Sequence, residues 1–72
     1  MERMDFLKLC QINAVYPKSK KVMHDDIEYY PVEYILGYDK IGEATHTARL
    51  RSVNAGQCDL FVRLSEVEEY GA

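Results

Sequence analysis

The sequence predicts a mainly β fold: a small antiparallel meander of four to five strands, curled into a half-barrel and closed by a short C-terminal helical turn. Three observations lead there. Residues 44–64 alternate apolar and polar positions on both sides of a glycine-containing turn, residues 30–38 alternate tyrosines and aliphatics with polar or small residues, and a further turn candidate precedes them. An alternation of period two marks a strand with one buried face.

The hairpin at 44–64 is the best defined element. Ala44, His46, Ala48, Leu50 and Ser52 share one side, and Thr45, Thr47, Arg49, Arg51 and Val53 the other. Downstream, Cys58, Leu60, Val62 and Leu64 form the apolar side, and Gln57, Asp59, Phe61 and Arg63 the polar one. A three-residue loop, Asn54-Ala55-Gly56, with Gly56 in the left-handed position, pairs apolar with apolar. Leu50 then faces Leu60 and Ala48 faces Val62, while Arg51 meets Asp59, Arg49 meets Phe61 and Thr47 meets Arg63. A loop one residue shorter or longer would set apolar side chains against the arginines, so the pattern selects one register.

The preceding strand places Tyr30, Val32, Tyr34, Leu36 and Tyr38 on the core side and Pro31, Glu33, Ile35 and Gly37 on the outer side. A five-residue turn, Asp39 to Glu43, sets Tyr34 opposite Ala48, Val32 opposite Leu50 and Glu33 opposite Arg49. Pro31 cannot donate a ladder hydrogen bond, which predicts a bend, an interruption or a free edge there. Residues Val22 to Tyr30 are therefore assigned to another pairing, a short hairpin turning at His24-Asp25-Asp26, where aspartates tolerate turn geometry.

Residues Phe6 to Tyr16 fit two patterns. Phe6, Cys10, Ile12, Ala14 and Tyr16 lie on one strand face, whereas Phe6, Leu9, Cys10 and Asn13 form a helical stripe behind an Asp5 cap. The strand is the reading adopted; an α+β fold with an N-terminal helix over residues 5–14 is the alternative. At the other end, Ser65 to Glu68 has the capping-box pattern and predicts one helical turn over Glu66 to Tyr70.

Composition bounds the rest. A chain of 72 residues makes one small domain, and a domain this size buries only about 60% of its unfolded surface. Most of its 47% hydrophobic residues are then needed for the core, with little left for a deep pocket. No stretch of about 20 apolar residues could span a bilayer, and the N-terminus lacks the basic start and apolar run of a signal peptide. A cytoplasmic location is expected. Cys10 and Cys58 both fall on predicted core faces and read as buried reduced thiols. A disulfide would need the first strand beside the last.

Candidate chemistry is sparse. His24 beside Asp25 and Asp26 has metal-ligand residue types, but neighbouring turn residues point apart and do not converge. His46 reads as a partly buried neutral ring with a backbone partner. Ser19, Ser52 and Ser65 have no histidine placed near them by the register, and no glycine-rich phosphate loop follows a strand. The expectation is a chain without catalytic, metal or cofactor-binding residues, not an enzyme, and with no small-molecule substrate.

That leaves the outer sheet face. The net charge is −3, with acidic clusters at Asp25, Asp26 and Glu28 and at Glu66, Glu68 and Glu69. Basic residues gather at Lys18, Lys20 and Lys21 and on the outer face as Arg49, Arg51 and Arg63. Arg49, Arg51, Phe61, Arg63 and Ile35 form the candidate binding face; Lys18, Lys20 and Lys21 form the candidate phosphate-contact loop. Phe61 between Arg49 and Arg63 suits base stacking and phosphate pairing. The register also sets Glu33 against Arg49 and Asp59 against Arg51, which cancels much of the field that a phosphate would feel. The leading expectation is a protein-interaction module, self-association included, with Phe61, Ile35, Val53 and the Tyr29 ring as the apolar contact inside a charged rim. Nucleic-acid binding through the Arg/Phe face and the lysine loop is the alternative.

The strings VMHDDIEYYPVEYILGYDKIGEATHTARLRSV and VRLSEVEE resemble those of small uncharacterised proteins of conjugative and phage-like mobile elements in gut Firmicutes. There a strand pair, a tyrosine-rich strand, an LR strand and an RLSEVE-type ending recur. The resemblance covers about two thirds of the chain. It implies an SH3-like strand order and a bacterial accessory protein, and it carries over no site residue.

Overall fold

In the computed structural model, which describes residues 1–54 and 58–71, one helix covers one face of a five-stranded antiparallel sheet. Helix α1 spans Arg3–Val15, and the strands are β1 Val22–His24, β2 Ile27–Tyr38, β3 Ala44–Ser52, β4 Asp59–Arg63 and β5 Glu68–Glu69. Their order across the sheet is β4-β3-β2-β1-β5. β4 and β5 are therefore consecutive along the chain yet occupy opposite edges. A 3-10 turn, Leu64–Glu66, joins them.

The predicted β3–β4 register holds, and the predicted β2–β3 register holds from Glu33 to Tyr38. Leu50 pairs with Leu60, Ala48 with Val62, Arg49 with Phe61, Arg51 with Asp59 and Thr47 with Arg63. Ala55 and Gly56 of the predicted turn lie outside the described residues. The five-residue turn is also present: Tyr38 pairs with Ala44, and Asp39 organises the loop by accepting the N–H groups of Ile41 and Glu43 at its Oδ1, 3.0 and 2.9 Å away. Gly42 has φ +86° there, a conformation open to glycine at no steric cost. The β1–β2 hairpin turns on Asp25 and Asp26, both left-handed at φ +53° and +62°, as a two-residue turn that matches strand twist requires.

Three expectations are corrected. Residues 6–15 are helical, not a strand, and Tyr16 lies just past the helix end, because the sheet needs a cover: the stripe Phe6, Leu9, Cys10 faces the core, and Phe6 is completely buried. Asp5 is not its cap. The helix begins at Arg3 after Glu2, which makes no side-chain cap bond, and Asp5 contributes a negative charge in the first turn.

The second correction concerns β2. It runs unbroken through Pro31, but a bulge between Pro31 and Glu33 shifts its register, so Leu50 is paired with Pro31 and not with Val32. Val32 is the extra residue. Upstream of the bulge the faces exchange: Tyr29 packs against the core and Pro31 is buried, while Tyr30 pairs with Arg51 on the outer side. Tyr29 is thus lost to the outer face and Tyr30 gained.

Third, the C-terminal helical turn is a 3-10 turn placed earlier, and Glu68–Glu69 pair with Met23 and Val22 as a short strand. Val67, just before it, is 1% exposed. Burying that side chain and pairing β5 with β1 is preferred to one isolated helical turn, whose nucleation is unfavourable. Phe6, Val22, Ala48, Leu50, Leu64 and Val67 form the core cluster.

Candidate functional site

The helix packs on the face that carries Ala48 and Leu50, so the outer face, with Arg49, Arg51, Phe61 and Arg63, is not under it. On the outer face β2, β3 and β4 set Ile35 beside Thr47, and Glu33 beside Arg49, with Phe61 on the far side of Arg49. Alternation along three registered strands, and nothing else, brings these residues together.

Asp59 is the electrostatic centre. It accepts Arg49 Nε at 2.8 Å and Arg51 Nε at 2.9 Å, with Arg49 Nη2 at 2.6 Å and Arg51 Nη2 at 3.3 Å. Its side chain is 14% exposed. The hydrogen bonds from Arg51 and then Arg49 hold its carboxyl below the usual carboxylate range, because donors aimed at the charged form favour it. Arg49 also reaches Glu33, 3.7 Å away, and its guanidinium lies 5.8 Å from the Phe61 ring centre. The register foretells the Glu33–Arg49 and Asp59–Arg51 pairs; the second arginine on Asp59 is a diagonal contact it does not foretell. Arg63 makes no ion pair among the described residues.

Phe61 is 58% exposed. Ile35 is half-buried beside Thr47, and Val53 lies at the margin. The candidate binding face is therefore one surface, with Phe61 and Ile35 flanking a neutralised arginine cluster.

The lysine loop divides. Lys21 pairs with Glu28 at 3.5 Å and lies over the Tyr70 ring. The main chain of Lys20 is fixed by Asn13, whose Oδ1 accepts the Lys20 N–H at 2.8 Å and whose Nδ2 donates to the Lys20 carbonyl at 3.0 Å. Lys18, left-handed at φ +64°, turns toward the outer face and lines an open cleft of about 670 Å³ with Tyr30, Arg49, Arg51, Val53 and Asp59. Only the bulge brings Tyr30 there. The sequence marks the bulge by its proline but gives no direction for the face exchange.

Among the remaining candidates, His46 and Cys58 are placed differently from expectation. His24 bonds the Glu66 carbonyl through Nδ1 at 3.1 Å and tilts against Tyr29; no metal-holding group occurs among the described residues. His46 is exposed, and its partner is not backbone: its Nδ1 is hydrogen-bonded to the Tyr34 hydroxyl, and the two rings stack. Tyr34 and His46 are diagonal neighbours across β2 and β3, a relation the register contains. Cys58 is exposed, not buried. Cys10 is half-buried, and burial first, the field of Glu33 second, push its thiol up to about 11. The two cysteines are free.

Comparison with protein-family models, with curated proteins and with solved structures gave no match. Among the described residues no helix is long and apolar enough to cross a membrane.

Proposed function

We propose that this chain is a non-enzymatic protein-interaction module, a bacterial accessory protein of the cytoplasm, that receives a protein partner on its outer sheet face. Phe61 and Ile35 supply the apolar centre, and Arg49, Arg51 and Arg63 the rim. The observation that carries this reading is the Asp59 cluster. Two of the three arginines already donate to one carboxylate, and Glu33 adds a second negative charge, so a phosphate would meet donors that are occupied. A protein surface needs no such field; it needs an exposed aromatic anchor within a polar rim. Phe61 fits that description.

The finer architecture proposed is an SH3-like half-barrel. Its support is the placement of consecutive β4 and β5 on opposite edges, joined by a 3-10 turn, with β5 against β1.

A second reading, nucleic-acid binding, is favoured by one observation: Lys18 lines the same cleft as Arg49, Arg51 and the Tyr30 ring. One titration separates the two. Single-stranded and duplex oligonucleotides are added at low and moderate salt, and the protein-partner reading expects no saturable binding at about 10⁻⁴ M, the weak end of non-specific affinity. Binding that falls steeply with salt and disappears in Lys18→Ala or Arg63→Ala would replace it with the second reading.

A further inference from the structure

β4 is an edge strand whose free side is set by one hydrogen bond. The Ser52 N–H donates to the Cys58 carbonyl at 3.2 Å, so Cys58, Leu60 and Val62 turn their backbone groups toward β3. Asp59, Phe61 and Arg63 turn theirs outward, because the direction alternates along an antiparallel strand. The opposite edge is protected: β5 is two residues long, and both are glutamates. β4 contains neither proline nor lysine, and its middle is Leu60-Phe61-Val62.

Read about Phe61, β4 is complementary to itself. When a second copy approaches by a two-fold axis, Asp59 stands opposite Arg63 of the second copy, Leu60 opposite Val62, and Phe61 opposite its equivalent. The outward N–H and C=O groups of Asp59, Phe61 and Arg63 then bond reciprocally. A slip to the neighbouring symmetric registers pairs Phe61 with a charged residue and leaves Asp59 or Arg63 without its counterpart. Arg63, which makes no ion pair among the described residues of its own chain, gains a carboxylate directly across the new pair.

We propose that the partner of this module is a second copy of the chain, docked antiparallel along the β4 edges to make one ten-stranded sheet across both copies. This rests on the protein-interaction reading above and narrows it. Phe61 of each copy meets on the outer side, and Leu60, 37% exposed in one copy, meets Val62 on the other. A five-residue edge is smaller than a standard interface, so the dimer is concentration-dependent, not obligate.

The test uses the full chain. Sedimentation equilibrium is expected to show a monomer–dimer equilibrium. Phe61→Cys in a Cys58→Ser background should cross-link on mild oxidation, since the Cα atoms of a reciprocally bonded pair are about 5.5 Å apart, inside the disulfide range. Tyr38→Cys, more exposed at 70% but away from β4, should cross-link at least tenfold more slowly. Arg63→Pro suits the native φ of −66° and removes one outward donor from each copy; it should stay folded by circular dichroism and weaken the dimer by about tenfold. A monomer at about 1 mM, or a dimer in which Tyr38→Cys links as fast as Phe61→Cys, overturns the β4-edge dimer. Neither touches the broader protein-partner reading, which falls only if the oligonucleotides bind.

Discussion

At the residue scale, Asp59 and the two cysteines carry predictions with opposite environments behind them. The Asp59 carboxyl titrates below its ordinary value of 3.8 in the folded chain because Arg51 and Arg49 donate to its charged form. A depressed folded value means that the contribution is complete above the unfolded value and is lost as pH falls through the folded one. Wild type should therefore lose stability more steeply than Asp59→Asn below about pH 4, and urea midpoints at pH 6, 4 and 3 measure this. Parallel slopes in the two proteins would show that the arginines do not hold the charge. Cys10 and Cys58 differ in access. Burial raises the Cys10 thiol to about 11, and the reactive species is the thiolate, so at pH 8 a thiol reagent should modify the exposed Cys58 first and Cys10 more slowly. Mass spectrometry of the partly labelled protein locates the first adduct.

At the element scale, legibility depended on whether a pattern had one geometric reading. Alternation plus a fixed loop length determined the β3–β4 register, so Leu50–Leu60 and Arg51–Asp59 could be read directly. The outer-face residues of the candidate site were legible with it. Residues 6–16 had two readings, since Phe6 and Cys10 belong to both a strand face and a helical stripe. Tertiary demand decided between them. What distinguishes the helix is Asn13, which anchors its last turn to the Lys20 main chain and donates to the Pro31 carbonyl, 3.4 Å away at the bulge. In a strand that side chain would have had no such cluster of backbone partners. The bulge hid the rest: shifting one residue exchanged Tyr29 and Tyr30 between faces, and no local residue preference encodes which one goes inward. Asn13→Ala should cost about 1–3 kcal/mol, the usual consequence of leaving backbone groups without partners, whereas Asn13→Asp should retain the Lys20 N–H bond and lose the donated ones. Chemical denaturation of both variants checks the order, with Asn13→Ala the less stable.

At the scale of the whole molecule, the core cluster draws Phe6 from the helix, Val22 from β1, Ala48 and Leu50 from β3, Leu64 from the 3-10 turn and Val67 from the segment before β5. Residues 6 and 67 are nearly the full chain apart, and they share one cluster. A protein this small has about 4–10 kcal/mol of stability in total, so no part of that cluster can loosen alone without costing a large fraction of it. Unfolding should accordingly be two-state, with tyrosine fluorescence and far-ultraviolet circular dichroism reporting the same midpoint. Phe6→Ala should remove about 3–5 kcal/mol and leave the chain close to its unfolding threshold. Val67→Ala, which deletes two buried carbons, should remove about 2 kcal/mol. The second variant is the sharper test, because Val67 could in principle belong to a frayed end. If it belongs to the common core, Val67→Ala lowers the urea midpoint seen by both probes and leaves the slope unchanged. If β5 and Val67 open independently, the far-ultraviolet midpoint stays at its wild-type value. The complete burial of Phe6 and the near-complete burial of Val67 in one core cluster favour the first outcome: β5 extends the sheet beside β1 as part of the same cooperative unit as the helix that covers it.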